Sequence, residues 1–291
     1  MYNYDIVAIF CCIDDFCIMY EESEKQHLID TGKQRNRATT LTLAEMLTIM
    51  VIFHFGPCKN FKYFYKHFLP FKHAGDFKKF PTYERFVQLM PRLFIPLNVM
   101  LHCISGEKTG TYIVDSTRLP ICDNKRISRN KVFKGLAQRG KTTMGWFYGL
   151  KLHLLINNKG QIMGLQITPG NIDDKAVVAS MTKKLKGKLF GDKGYLSKKL
   201  FLELYWRGLK LITGIRKNMK NYLMDFTEKL LLRKRFLIET IFGQLKIAMN
   251  LCHTRSRSPV NFFVNVLSCL TAYQLKTRST RKCKFLQISY P

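Results

Sequence analysis

The rhythm of apolar and polar positions changes partway along the chain. Leu41-Thr42-Leu43-Ala44-Glu45-Met46-Leu47 opens an apolar run to Phe55 that predicts a helix, with Thr39 or Thr40 as its cap. Pro57, Pro70 and Pro81 punctuate the chain after that run, and Phe86, Leu89, Met90 and Leu93 recur at helical spacing after Pro81. Gly106 to Gly110 marks a boundary. Beyond it the pattern turns β-like. Thr111–Val114 predicts a short strand ending at Asp115. Gly149–Asn157 and Gln161–Thr168 predict two more, joined by the turn signal Asn157-Asn158-Lys159-Gly160. A helix over 174–186 leads to a strand at Lys188–Gly191 that ends at Asp192. A helix over 197–207, a strand at Leu209–Thr213 and a long helix from near Arg233 complete the series. The order β-β-β-α-β-α-β-α predicts an α/β domain with a mixed sheet and helices on its faces. Three regions are expected: helical residues 1–108, a sheet domain over 109–252, and a helix at 259–275 with a basic tail within 253–291.

Charge narrows the function. The net charge is +28, with 48 Lys and Arg against 20 Asp and Glu. Residues 1–50 are acidic, with 4 cations against 8 acids, so the whole excess lies after residue 50, where 44 face 12. A field of that sign and extent suits nucleic acid better than a membrane surface or an acidic protein. The apolar runs Leu41–Phe55 and Val260–Leu275 are too short and too polar for a bilayer span, so no membrane role is expected. Nine cysteines without regular spacing or a CxxC pair argue against a disulfide framework and against zinc. Reduced thiols and an acidic start with no signal peptide point to the cytoplasm.

With so few carboxylates after residue 50, their placement matters. Asp115 and Asp192 each follow a strand, where open α/β sheets gather ligand sites. Glu239 lies on the last helix of the sheet domain. Oxygen ligands suit hard divalent metals, and two-metal phosphoryl transfer uses carboxylates on both ions. Arg235, Glu239, Phe242 and Lys246 share one helix face, beside an apolar face of Ile238, Ile241, Leu245 and Met249. Taken alone, that helix reads equally as a solvated face with an ordinary Arg–Glu pair.

Three blocks carry a resemblance: Ile113-Val114-Asp115-Ser116-Thr117, Phe190-Gly191-Asp192-Lys193-Gly194-Tyr195, and Arg235 through Glu239 to Lys246. With Lys131–Ala137, Gly145–Gly149 and Thr168–Asp174, they resemble the DDE-type transposases of bacterial insertion sequences. The resemblance implies a ribonuclease H-like catalytic domain in which Asp115, Asp192 and Glu239 hold two Mg²⁺ ions, with Mn²⁺ as a substitute. It implies hydrolysis at the element's terminal inverted repeats and strand transfer into target DNA. A homodimer or higher oligomer would act in a bacterial, nucleoid-associated setting. Arg235, Glu239 and Lys246 fit one group's spacing, whereas Leu232 replaces its Tyr, and Phe242-Gly243 stands where polar residues are expected. The alternatives are a metal-dependent nuclease on the same fold and a decayed DNA-binding remnant.

Other residues have narrower expectations. Asp173 and Asp174 read as helix caps rather than ligands. Lys131, Lys134, Arg139 and Lys141 fall in a Gly-containing loop between strands, read as a DNA-contacting flap or a solvated loop. Trp146 reads as core or as a base-stacking residue. His153 reads as a strand residue without a catalytic role. Lys193, Arg255 and Arg257 read as phosphate contacts.

Overall fold

A computed structural model describes residues 4–27, 39–142, 145–214, 225–252 and 257–278. The chain divides into two compact units. One comprises residues 1–104, 245–251 and 256–291; the other comprises 105–244 and 252–255.

The first unit is helical. Its helices are α1 (Ile6–His27), α2 (Leu43–Phe55), α3 (Phe61–Tyr63), α4 (Leu69–Lys72), α5 (Tyr83–Leu89), α6 (Phe94–Cys103) and α11 (Pro259–Arg278). The cap of α2 is Thr42, not Thr39 or Thr40. Thr42 Oγ1 accepts from Glu45 N at 3.1 Å and Glu45 Oε2 accepts from Thr42 N at 2.7 Å. Only Thr42 has a glutamate three residues on, as this reciprocal cap requires. Helix α11 packs against α2 and α6 and is buried continuously from Val266 to Leu275, so the C-terminal apolar run completes the N-terminal core. In its midst His54 is fully buried, its ring bonded to Met249 O at 2.6 Å and Ser268 Oγ at 2.9 Å. The stretch Tyr83–Cys103 is long and apolar enough to cross a bilayer, but half of its apolar window is buried inside the protein.

The second unit holds a six-stranded mixed sheet in the order β2-β3-β1-β5-β6, with β4 also on β3. Its strands are β1 (Thr111–Cys122), β2 (Gln138–Thr142), β3 (Gly145–Asn157), β4 (Ile162–Pro169), β5 (Gly187–Gly191) and β6 (Leu209–Thr213). Strands β4, β5 and β6 stand within a residue of where the apolar runs predict them, whereas β3 begins at Gly145, four residues before the expected Gly149, where it pairs with β2. Strand β1 does not end at Asp115. It runs on through Ser116, Thr117 and Arg118, which pair with β3 although they are polar. The loop expected around Arg139 and Lys141 is instead strand β2. Gln138-Arg139-Gly140-Lys141-Thr142 is a charged edge strand, which lacks apolar alternation because only one side is paired. Helix α7 (Lys175–Met181) is shorter than the expected 174–186, and α8 (Lys198–Trp206) agrees with its expectation.

The last helical region differs most. It begins as α9 (Phe226–Arg233), breaks, resumes as α10 (Phe236–Gly243), and passes into a π-helical turn at Gln244–Ala248. Ile238, Ile241, Leu245 and Met249 are buried as expected. Phe242 is buried too, at 7% exposure, so it does not share a solvent face with Glu239. The change to π-helical winding at Gln244 also ends the unbroken 3.6-residue spacing that aligns Lys246 with Glu239.

Tyr112 and Val114 point from β1 into a core with Leu155, Leu189, Tyr195, Leu204 and Val178. Strand alternation sends Asp115 to the opposite face, the one on which α10 packs.

Candidate active site

Register places the first two acids. β1 and β5 are parallel neighbours, with Ile113 opposite Phe190. Two residues further along each chain stand Asp115 and Asp192. Adjacent strands lie about 5 Å apart, so the two acids leave the paired region side by side and level. Asp115 is held inside β1, opposite Leu154. Asp192 leaves β5 and caps the short turn Lys193–Tyr195, its Oδ1 accepting from Lys193 N at 2.7 Å.

Asp115 is electrostatically strained. Burial pushes its carboxyl up to about 6, against the lowering effects of a hydrogen bond from Ser116 N and of Arg235; Asp192 and Asp174 push it up further. The Ser116 bond is 2.8 Å, and Arg235 Nη1 lies 3.5 Å from Asp115 Oδ2. Arg235 also reaches Glu239, with Nη2 to Oε1 at 2.8 Å. One guanidinium therefore bridges the strand acid and the helix acid. Glu239 is 57% exposed, so its arm of the bridge is worth only about 0.3–0.5 kcal/mol.

A divalent metal fits part of this set. Asp115 and Asp192 are hard oxygen donors, level on adjacent strands, and their mutual repulsion is what a cation would relieve. Among the described residues, however, no three His, Cys, Asp or Glu side chains gather closely enough to hold an ion. Glu239 joins the group through Arg235.

Asp174 stands where a helix cap would, but its side chain makes no capping bond; Asp173 Oδ1 accepts from Lys175 N instead. Asp174 Oδ1 lies 3.0 Å from Lys151 Nζ and 3.8 Å from His153 Nδ1. His153 is fully buried and its Nε2 meets Thr168 Oγ1 at 2.8 Å; burial lowers its pKa to about 4, opposed by Asp174, and Lys151 lowers it further. His153 sits opposite Ser116, on the face away from Asp115, so this network backs the site rather than lining it. The sequence signal was the pair Lys151 and His153 at period two in an otherwise apolar strand. Tyr195, also on that side, is buried, which with Asp115 and Asp174 pushes its hydroxyl far up.

The basic residues separate. Lys131 and Lys134 are exposed on the turn before β2. Arg139 and Lys141 are exposed on β2 itself, not on a loop. Lys141 Nζ lies 5.6 Å over the ring of Trp146, which is 59% exposed and so is not core. Lys193 is exposed beside Asp192. Lys246 belongs to the first unit, on the π-helical turn. Arg257 is exposed before α11, and Arg255 lies outside the described residues.

Comparison with known proteins bears on the family and the fold. A search among curated proteins found no match. A cryo-EM structure of a piggyBac transposase synaptic complex with hairpin DNA has a similar fold. The TM-score is 0.53 at 9% identity, over 98% of this chain and 77% of that one. The family described as transposase DDE domain matches residues 105–259, more than half the chain, a range within which Asp115, Asp192 and Glu239 fall. The chain belongs to the transposase DDE-domain family.

Proposed function

We propose that this protein cuts DNA at the ends of a mobile element and joins the freed 3′-hydroxyls to target DNA, with Asp115, Asp192 and Glu239 holding two Mg²⁺ ions that Mn²⁺ can replace. The observation that carries the reading is the level placement of Asp115 and Asp192 on adjacent parallel strands, with Arg235 tying Asp115 to Glu239. Family membership supports it, and so does a mixed sheet in which Asp115 and Asp192 stand just past the paired stretch of two parallel strands.

Held by these acids, two such ions would supply activation of a water or a 3′-hydroxyl and stabilisation of the leaving oxygen. The chain's own residues arrange the rest. The Ser116 N–H fixes Asp115 Oδ1, and the Lys193 N–H fixes Asp192 Oδ1. Arg235 keeps Glu239 turned toward Asp115 and stands within reach of a DNA phosphate at the site. Lys193, Lys131, Lys134, Arg139, Lys141, Lys246, Arg255 and Arg257 supply phosphate contacts. The DNA partners are the terminal inverted repeats and the target, engaged by a homodimer or higher oligomer; the setting is a bacterial cytoplasm, at the nucleoid. The helical first unit contributes DNA binding or dimerisation.

A second reading, a DNA-binding remnant without catalysis, is favoured by one observation: Glu239 is exposed and paired with Arg235. The test is a joining assay in Mg²⁺ on DNA carrying the element's ends. Joined product supports transposition, cut but unjoined ends indicate a nuclease, and binding without cutting indicates the remnant.

A further inference from the structure

The parallel strands β1, β5 and β6 have two ends, and the acids occupy only one. At the other end is a cleft of about 470 Å³ whose lining includes Lys108, Lys183, Lys184, Lys186 and Arg207, and no carboxylate. Arg207 is partly answered by Glu203, Nη2 to Oε1 at 3.0 Å. Among the described residues the four lysines have no carboxylate within 4.0 Å. Like charges that converge without a counter-charge raise the local potential, and a polyanion is the natural complement.

The cleft is also built rigidly. Lys183, Lys184 and Lys186 sit on the loop between α7 and β5, and Leu185 between them is buried at 7% exposure. Lys188 N donates to Gly110 O at 2.8 Å and Gly187 N donates to Gly208 O at 2.9 Å, tying that loop to the chain before β1 and before β6. All three glycines have positive φ, at 76°, 118° and 79° for Gly110, Gly187 and Gly208. A Cβ on Gly187 would fall 2.2 Å from Gly110 O. The lysines thus project from a loop whose backbone is already fixed, which lowers the ordering cost of binding.

We infer that this cleft is a second DNA-contact site, taking the phosphodiester backbone of duplex DNA away from the point of reaction. The inference rests on the DNA-joining reading above. Gly110 in the cleft lining stands five residues before Asp115 and Lys186 six before Asp192, about 15–20 Å at 3.3 Å per residue, and only Tyr112 of the lining lies nearer. A phosphate held by these lysines is therefore not the one being cut.

The test is fluorescence anisotropy of the full chain with a random-sequence 30-base-pair duplex across a series of NaCl concentrations. Each phosphate contact contributes about 0.9 to the slope of log affinity against log salt. The triple variant Lys183→Gln, Lys184→Gln, Lys186→Gln is expected to lose about 2–3 from that slope. A control triple at Lys25, Lys159 and Lys229, exposed lysines that do not line the cleft, is expected to lose less than about 1. An unchanged slope in the cleft variant, or an equal loss in the control, overturns the inference while leaving the catalytic reading intact. Failure of the unaltered protein to bind the duplex overturns both. Unfolding midpoints are recorded on the same samples. Should the triple variant misfold, the three single substitutions carry the test, each losing about 0.9 if the lysines hold phosphates and nothing if they do not.

Discussion

Asp115→Asn should stabilise the metal-free protein at neutral pH. The carboxyl's folded pKa is about 6 against an ordinary 3.8, so the folded state prefers the neutral acid. A raised acid favours folding below its unfolded value, and that benefit is lost as pH rises through the folded one. The difference is 2.2 pKa units, and at 1.36 kcal/mol each the charged carboxylate costs about 3 kcal/mol at pH 8. Its side chain is only 21% exposed, so solvent screens little of this. Asparagine removes the charge and keeps the shape. At about 2–4 °C per kcal/mol, the variant's unfolding midpoint should rise by roughly 6–12 °C in EDTA at pH 8. The gap should close near pH 3, where both side chains are neutral. Circular dichroism melts of both proteins at the two pH values make the comparison. An unchanged or lower midpoint for Asp115→Asn at pH 8 refutes the reasoning. It would mean that Arg235 and the Ser116 bond fully offset burial and the neighbouring acids.

Three other places in the structure can be tested in the same way. His54 has a folded pKa lowered to about 4 by burial, so the unfolded chain takes its proton first; stability should fall by about 3 kcal/mol as pH drops from 6.5 to 4, and His54→Gln melts should lack that acid limb. Glu228 is buried and accepts from Lys210 at 2.8 Å and Lys188 at 3.1 Å. Glu228→Gln should cost about 1.5 kcal/mol in urea unfolding, the low end for charged hydrogen bonds because both lysines are more than a third exposed; no change would mean the pairs are fully screened. Gly187→Ala meets both a positive φ and Gly110 O, and should destabilise by at least about 1–3 kcal/mol in the same assay; a neutral effect would contradict the tight loop.

What the sequence revealed depended on how local the signal was. The β3–β4 hairpin, β5 and β6 announce themselves through apolar runs and a turn motif within each segment. Asp115 and Asp192 could be picked out because each comes directly after such a run. The continuation of β1 was hidden, because Ser116, Thr117 and Arg118 are held by a partner strand and not by their own apolarity. Strand β2 was hidden for the same reason. Asp174 looked like a cap because its role depends on Lys151, twenty-three residues back in a strand that approaches only in the fold. The Arg235 bridge combines a local i,i+4 pair, visible in the sequence, with a contact to Asp115 that only α10 packing on β1 creates.

The central claim is that Asp115, Asp192 and Glu239 form one divalent-metal site. Titration of the protein with Mn²⁺, monitored by the electron paramagnetic resonance of the free ion, tests it directly. Two ions should bind per chain, with binding lost in Asp115→Asn and Asp192→Asn and weakened in Glu239→Gln. Mn²⁺ binding that all three variants retain would contradict the account, as would no binding by the unaltered protein.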